Sequence, residues 1–139
     1  MNAIFCLTPK SSCMYLYGDT SLKQAMDRIR SKGFTAVPVI NRDGEYLGAI
    51  SEGDMLWYLC DLEKSGSENP FGETEKVLLK NVLSNKKYTA SHVDIPFDEL
   101  VGRAVEQNFV PLIDDRGIFI GIVTRSKIIE FMKKAQKNT

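Results

Sequence analysis

Two short stretches put polar side chains where they could meet a ligand. Ser51 stands three residues ahead of Asp54, and Thr124 three ahead of Lys127, each at the head of a helix-like run. A hydroxyl followed three positions later by an acid has the form of a capping box, in which each side chain accepts a hydrogen bond from the other residue's backbone N–H. Aspartate is shorter than the usual glutamate or glutamine partner. Thr124 reads by itself as an N-cap. Arg125 and Lys127 then bring two cations to a helix N-terminus, either as solvated charges or as a pair suited to phosphate. Other chemistry is sparse. His92 is the single histidine. It heads a strand-like segment with no partner identifiable from sequence, so a hydrolase triad lacks its acid–base set. Cys6, Cys13 and Cys60 form no CxxC pair, whereas zinc takes several closely spaced His or Cys ligands. Asp114-Asp115 reads as a turn. We therefore expect no catalytic residues and no metal site.

Composition narrows the class further. The chain has 139 residues, 43% of them hydrophobic, enough for a core. Its 18 basic residues cancel its 18 acidic ones. Proteins that hold nucleic acid by its phosphates usually carry a basic excess, so no nucleic-acid partner is expected. No apolar run approaches the ~18 residues of a membrane span. The opening residues lack the basic region of a signal peptide. Three unpaired cysteines fit reduced thiols, and the expectation is a cytoplasmic protein with no membrane attachment.

The elements that would position Ser51 and Asp54 occur twice. The stretch Phe34-Thr35-Ala36-Val37-Pro38-Val39-Ile40 returns in shortened form as Phe109-Val110-Pro111-Leu112-Ile113. From there Pro38 and Pro111, Gly44 and Gly117, Gly48 and Gly121, and Ser51 and Thr124 are each 73 positions apart. Upstream the offset is 75, matching Asp19 to Asp94 and Phe34 to Phe109, as if the second copy lacked the equivalent of Thr35-Ala36. Each copy reads as β-α-β-β-α. In the first, 13–17 is a short strand and Asp19, Thr20 and Ser21 offer N-caps. Leu22, Ala25, Met26 and Ile29 form an apolar helix face, and Gly33 suits a left-handed C-cap. Two strands at 37–40 and 46–50 flank the turn Asn41-Arg42-Asp43-Gly44, and a helix runs from Ser51 to about Leu62. In the second, a strand at 91–95 leads to Pro96, suited to a helix's first turn. Phe97, Leu100, Val101, Ala104 and Val105 form that helix's face. Strands at 109–113 and 119–123 precede a last helix from Arg125 to about Lys134. Val77 to Leu83 reads as a short helix opening copy two, as Ala3 to Leu7 would open copy one. The repeats are drawn at 1–64 and 74–139, with a polar linker at 65–73.

This order of elements resembles a tandem pair of CBS (cystathionine-β-synthase) domains, or Bateman module. The resemblance is carried by the duplication, the Val-Pro-Val-Ile then Gly-x-x-Ser-x-x-Asp progression, and the opening Leu7-Thr8-Pro9. It implies an α/β (α+β) fold of two repeats related by a pseudo-two-fold axis around a central cleft. It also implies a non-enzymatic regulatory module that binds AMP, ADP, ATP or cyclic di-AMP, pairs into homodimers and signals to an effector protein. Carried over by residue, Asp54 would accept from the ribose hydroxyls with Ser51 beside the sugar or phosphate. Thr35, Ala36 and Val37, ahead of Pro38, would face the adenine, and Phe34 would add a stacking face. Lys127 replaces that aspartate in copy two. A lysine only donates, so Thr124, Arg125 and Lys127 would make a phosphate or second site instead. The Ser51–Asp54 capping box stays open beside the ribose role. A ligand-free dimerisation scaffold stays open beside the nucleotide module. The nearly all-apolar stretch at 55–60 would be either a fully buried helix or, the reading favoured here, a dimer face.

Overall fold

Val37, Val39, Ile40 and Ile50 are β-branched residues in two runs separated by turn chemistry, and they form a hairpin. A computed structural model describes residues 3–33, 36–83 and 87–137. In chain order it contains β1 (Thr8–Pro9), β2 (Leu16–Tyr17), α1 (Leu22–Lys32), β3 (Ala36–Ile40), β4 (Tyr46–Ser51), α2 (Glu52–Lys64), α3 (Pro70–Glu73), β5 (Ser91–His92), α4 (Phe97–Glu106), β6 (Phe109–Ile113), β7 (Phe119–Thr124) and α5 (Arg125–Lys137). Two compact units result: residues 14–85, and residues 86–139 with 1–13.

The first unit follows β2-α1-β3-β4-α2. Its sheet has the order β2-β3-β4, with β2 parallel and β4 antiparallel to β3. Ser21 caps α1 by accepting from the Gln24 N–H, and Gly33 ends it at φ 73. The helix buries Leu22, Ala25 and Ile29 against Leu16, Val37, Val39, Ile50 and Met55. The second unit repeats the path as β5-α4-β6-β7-α5, with β1 added antiparallel at the outer edge of β7. Leu100 and Ala104 of α4 join Val110, Leu112, Val123 and Ile128 in its core. The fold is mixed α/β, as the periodicity implies. At both hairpin turns one side-chain oxygen accepts two backbone N–H groups. Asn41 Oδ1 accepts from Asp43 and Glu45, and Asp114 Oδ1 from Arg116 and Ile118. Gly44 and Gly117 supply the positive φ, 89° and 80°, that these turns require.

Several details differ from the sequence expectation. The strands read at 13–17 and 91–95 shorten to two residues each. Pro96 lies immediately before α4 as its N-cap. Val105, expected on the buried face, is 73% exposed. The stretch read as a helix at 77–83 holds a single 3-10 turn, Leu79–Asn81, and its backbone pairs with the start of α1. A short helix, α3, interrupts the linker. Its cap is Asn69, whose side chain accepts from the Gly72 N–H.

The two-residue shortening also falls elsewhere. Ala36 lies opposite Ser51, and Phe109 lies opposite Thr124. Phe109 therefore stands in the strand position of Ala36, not of Phe34. The missing residues come from the helix end and loop, since 14 positions separate the starts of α1 and β3 but 12 those of α4 and β6.

Candidate functional site

In the first unit β4 runs directly into α2, and that junction assembles the polar group read from the sequence. Ser51 is at once the last strand residue and the helix N-cap. Its hydroxyl accepts from the Asp54 N–H at 3.1 Å, and Asp54 Oδ2 accepts from the Ser51 N–H at 3.0 Å. The capping box is thus closed in both directions. Asp54 Oδ1 has no hydrogen-bond partner among the described residues, and the side chain is half-buried. A carboxylate oxygen left open beside a helix N-terminus can accept from a hydroxyl. Across the hairpin from Ser51 sits the methyl group of Ala36. Ala36, Ser51 and Asp54 are therefore brought together.

The other candidates in the first copy are placed differently. The side chain of Val37 is 1% exposed and belongs to the core. Pro38 is buried beside it and lies opposite Ala49. Thr35 and Phe34 lie outside the described residues.

The equivalent junction of the second unit, β7 into α5, is half as complete. Thr124 Oγ1 accepts from the Lys127 N–H at 3.3 Å. No return bond is possible because an ammonium has no lone pair. Lys127 Nζ lies 3.8 Å from Glu130. Arg125 Nε donates to the Ala104 carbonyl at 2.6 Å, and Nη2 to that of Val105 at 3.0 Å. The guanidinium thus serves the last carbonyls of α4, which a helix C-terminus otherwise leaves unsatisfied.

Three side-chain groups escaped the sequence reading. In the first unit Arg42 makes a two-pronged bridge to Asp19, at 2.8 and 2.9 Å, and lies 3.9 Å from the centre of the Tyr17 ring. The bond from Arg42 holds the Asp19 carboxyl below its ordinary range. At the same repeat position in the second unit, His92 Nε2 lies 2.5 Å from Asp115 Oδ1, and Nδ1 accepts from the Asp94 N–H at 3.0 Å. His92 does have a partner, contrary to the expectation. Both ring nitrogens are thus engaged within the turn, Nε2 with Asp115 and Nδ1 with the Asp94 N–H. The third group is Tyr88, stacked on Phe109 with ring centres 4.6 Å apart. The 73 and 75 offsets, applied to the turn and strand ends, would have located the first two. All three cysteines are free thiols, and burial pushes those of Cys6 and Cys13 up, away from the reactive thiolate. No cluster of three metal-binding side chains occurs among the described residues, and none of their helices is long and apolar enough to cross a membrane.

A β-α-β-β-α unit, with a Val-Pro strand leading through a hairpin into a capped helix, occurs twice in the chain. Residues 7–61 match the CBS domain family, and the chain has the fold of solved CBS-pair structures. An uncharacterised protein of Methanocaldococcus jannaschii is 27% identical, the alignment covering 83% of each chain. The structure of CbpB in complex with c-di-AMP superposes with a TM-score of 0.88 at 22% identity, covering 99% of this chain and 88% of that one. That of CBSX2 in complex with AMP superposes at 0.77 and 19% identity, covering 97% and 98%.

Proposed function

We propose that the chain is a regulatory module that binds an adenine nucleotide at its first copy and passes the bound state to a partner protein in the cytoplasm. AMP, ADP, ATP and cyclic di-AMP are the candidates. The observation that carries the reading is the open Oδ1 of Asp54 beside Ser51 and Ala36. An acceptor there suits a ribose diol, and similarly folded proteins hold c-di-AMP and AMP. The closed Ser51–Asp54 box favours a second reading, a ligand-free scaffold, because it gives Asp54 a structural role. A thermal-shift screen across the four nucleotides separates the two. A ligand at about 100 times its Kd adds about 2.7 kcal/mol of stability, so a shift of several degrees is expected for at least one nucleotide. A flat response to all four would leave only the scaffold.

We also propose that the module is a homodimer. In the first unit α1 and α2 flank a groove of about 550 Å³ lined by Met26, Ile29, Met55, Leu56, Leu59 and Phe71. In the second unit Val101, Val105, Ile128, Ile129 and Met132 line a groove between α4 and α5. Leu56, Trp57, Val105 and Ile129 are 63, 67, 73 and 56% exposed. Apolar patches of this kind usually mark interfaces. Light scattering at tens of micromolar should give twice the chain mass, falling to one chain for Leu56→Glu combined with Ile129→Glu. A monomeric native chain would refute the assembly.

A further inference from the structure

The second copy of the repeat carries two rings where the first copy has Ala36 and Cys13, the latter folding with the second unit. Phe109 lies opposite Thr124 as Ala36 lies opposite Ser51. Tyr88 occupies the sequence position of Cys13, by the same 75-residue offset that matches Leu16 and Tyr17 to Ser91 and His92. The rings stack with centres 4.6 Å apart and planes inclined by 25°. Phe109 is 7% exposed.

The backbone is bent to make this contact. Tyr88 adopts φ 60, the left-handed conformation that bulky residues seldom take, while Cys13 adopts φ −101. Such a conformation persists only where its surroundings hold it, and the surroundings do so here. Asn108 Nδ2 donates to the Tyr88 hydroxyl, Arg103 Nη1 to Thr89 Oγ1, and Gln107 Nε2 to the Thr89 carbonyl. The shortened loop between α4 and β6 supplies Gln107 and Asn108, so the missing residues and the stack belong to one arrangement.

We infer that Tyr88 and Phe109 form an aromatic plug that fills the base position of the second copy, so that the module takes one adenine base per chain. The inference rests on the proposed nucleotide site, because the plug's location is defined by the position of Ala36 beside Ser51 and Asp54. It adds a steric cause to the polar one. Lys127 removes the ribose acceptor, Arg125 is spent on α4, and the rings occupy the place an adenine would stack. The stack turns one face of each ring to the other, and Tyr88 must swing out before that face can meet a ligand.

Calorimetric titration with AMP, and separately with cyclic di-AMP, tests this on the full chain, on Tyr88→Ala and on Tyr88→Ala with Phe109→Ala. Circular dichroism verifies the fold of each. The expected result is one adenine base bound per chain in the native protein and two in the double variant, with Tyr88→Ala already showing a weak second event. Should the double variant fail to fold, half-buried Tyr88 alone carries the test. Two bases bound by the native chain, or one by every folded variant, would overturn the plug and leave the first site intact. No binding by the native chain but one base by a variant would overturn the first-copy site and uphold the plug. No binding by any form would overturn both.

Discussion

Leu112→Ala is expected to lower the unfolding free energy by about 2–5 kcal/mol, the range for removing a fully buried leucine side chain from a well-packed core. The whole margin of a native domain is about 5–15 kcal/mol, so the loss is a large fraction of it. Leu112 is 0% exposed and sits in the inner strand β6, flanked by Ser91 of β5 and Gly121 of β7. Its cluster contains Leu100, Ala104, Val110, Val123 and Ile128, together with Ala3 and Cys6 from the chain's start. The strands around the cavity are tied by their ladders, which limits collapse onto the space left behind. Gly121 limits it further. A Cβ there would collide with the Thr8 carbonyl, so β1 and β7 are already in close contact. Urea unfolding measures the loss and also shows how the units are coupled. If the chain melts in one transition, the whole curve moves. If it melts in two, only the one belonging to residues 1–13 and 86–139 moves. A loss below about 1 kcal/mol would mean that Leu112 is not enclosed as described.

Much of this architecture was legible because local and long-range signals agreed. Ser21 and Gly33 bracket α1 with the cap residues that helix ends demand, and the apolar spacing between them names the buried face. The 73-residue register located both hairpins, since each turn needs a glycine at positive φ. The placement of the deletion was not legible. Phe34 and Phe109 are the same residue type and invite alignment. Strand register is set by the pairing of β6 with β7, however, and that pairing aligns Phe109 with Ala36. Nor could sequence reveal where the short opening segments dock. Val77, Leu78 and Leu79 are apolar in a row, and which core takes them depends on tertiary contacts that periodicity does not encode. Of the candidate residues Thr35, Ala36, Val37, Pro38, Ser51 and Asp54, the sequence could name the types but not the hydrogen bonds that Ser51 and Asp54 exchange. Only the geometry assigns one carboxylate oxygen to the helix cap and leaves the other open. The cationic pair of the second copy shows the same limit. Arg125 reads as a helix-start charge, yet its guanidinium reaches the end of a different helix.

That division of labour lets two substitutions at Asp54 separate capping from binding. In Asp54→Asn the amide oxygen can still accept from the Ser51 N–H, so the capping box survives. The amide NH2 then replaces the open Oδ1, presenting donors where an acceptor stood. Stability should change by less than about 0.5 kcal/mol, the scale of a substitution that keeps its contacts. Nucleotide affinity should fall at least ~10-fold, because a hydrogen bond to a charged group contributes about 1.5–3 kcal/mol and tenfold in Kd corresponds to about 1.4 kcal/mol. In Asp54→Ala both functions go. Affinity should fall by a similar factor, and stability by about 1 kcal/mol for the lost cap. Calorimetry with AMP and thermal unfolding of the two variants give the four numbers needed. Retained affinity in both, with a stability loss confined to the alanine variant, would reduce Asp54 to a helix cap and remove the ribose assignment. Lost affinity in the asparagine variant at native stability has no capping explanation, and would place the Asp54 carboxylate in contact with the ligand.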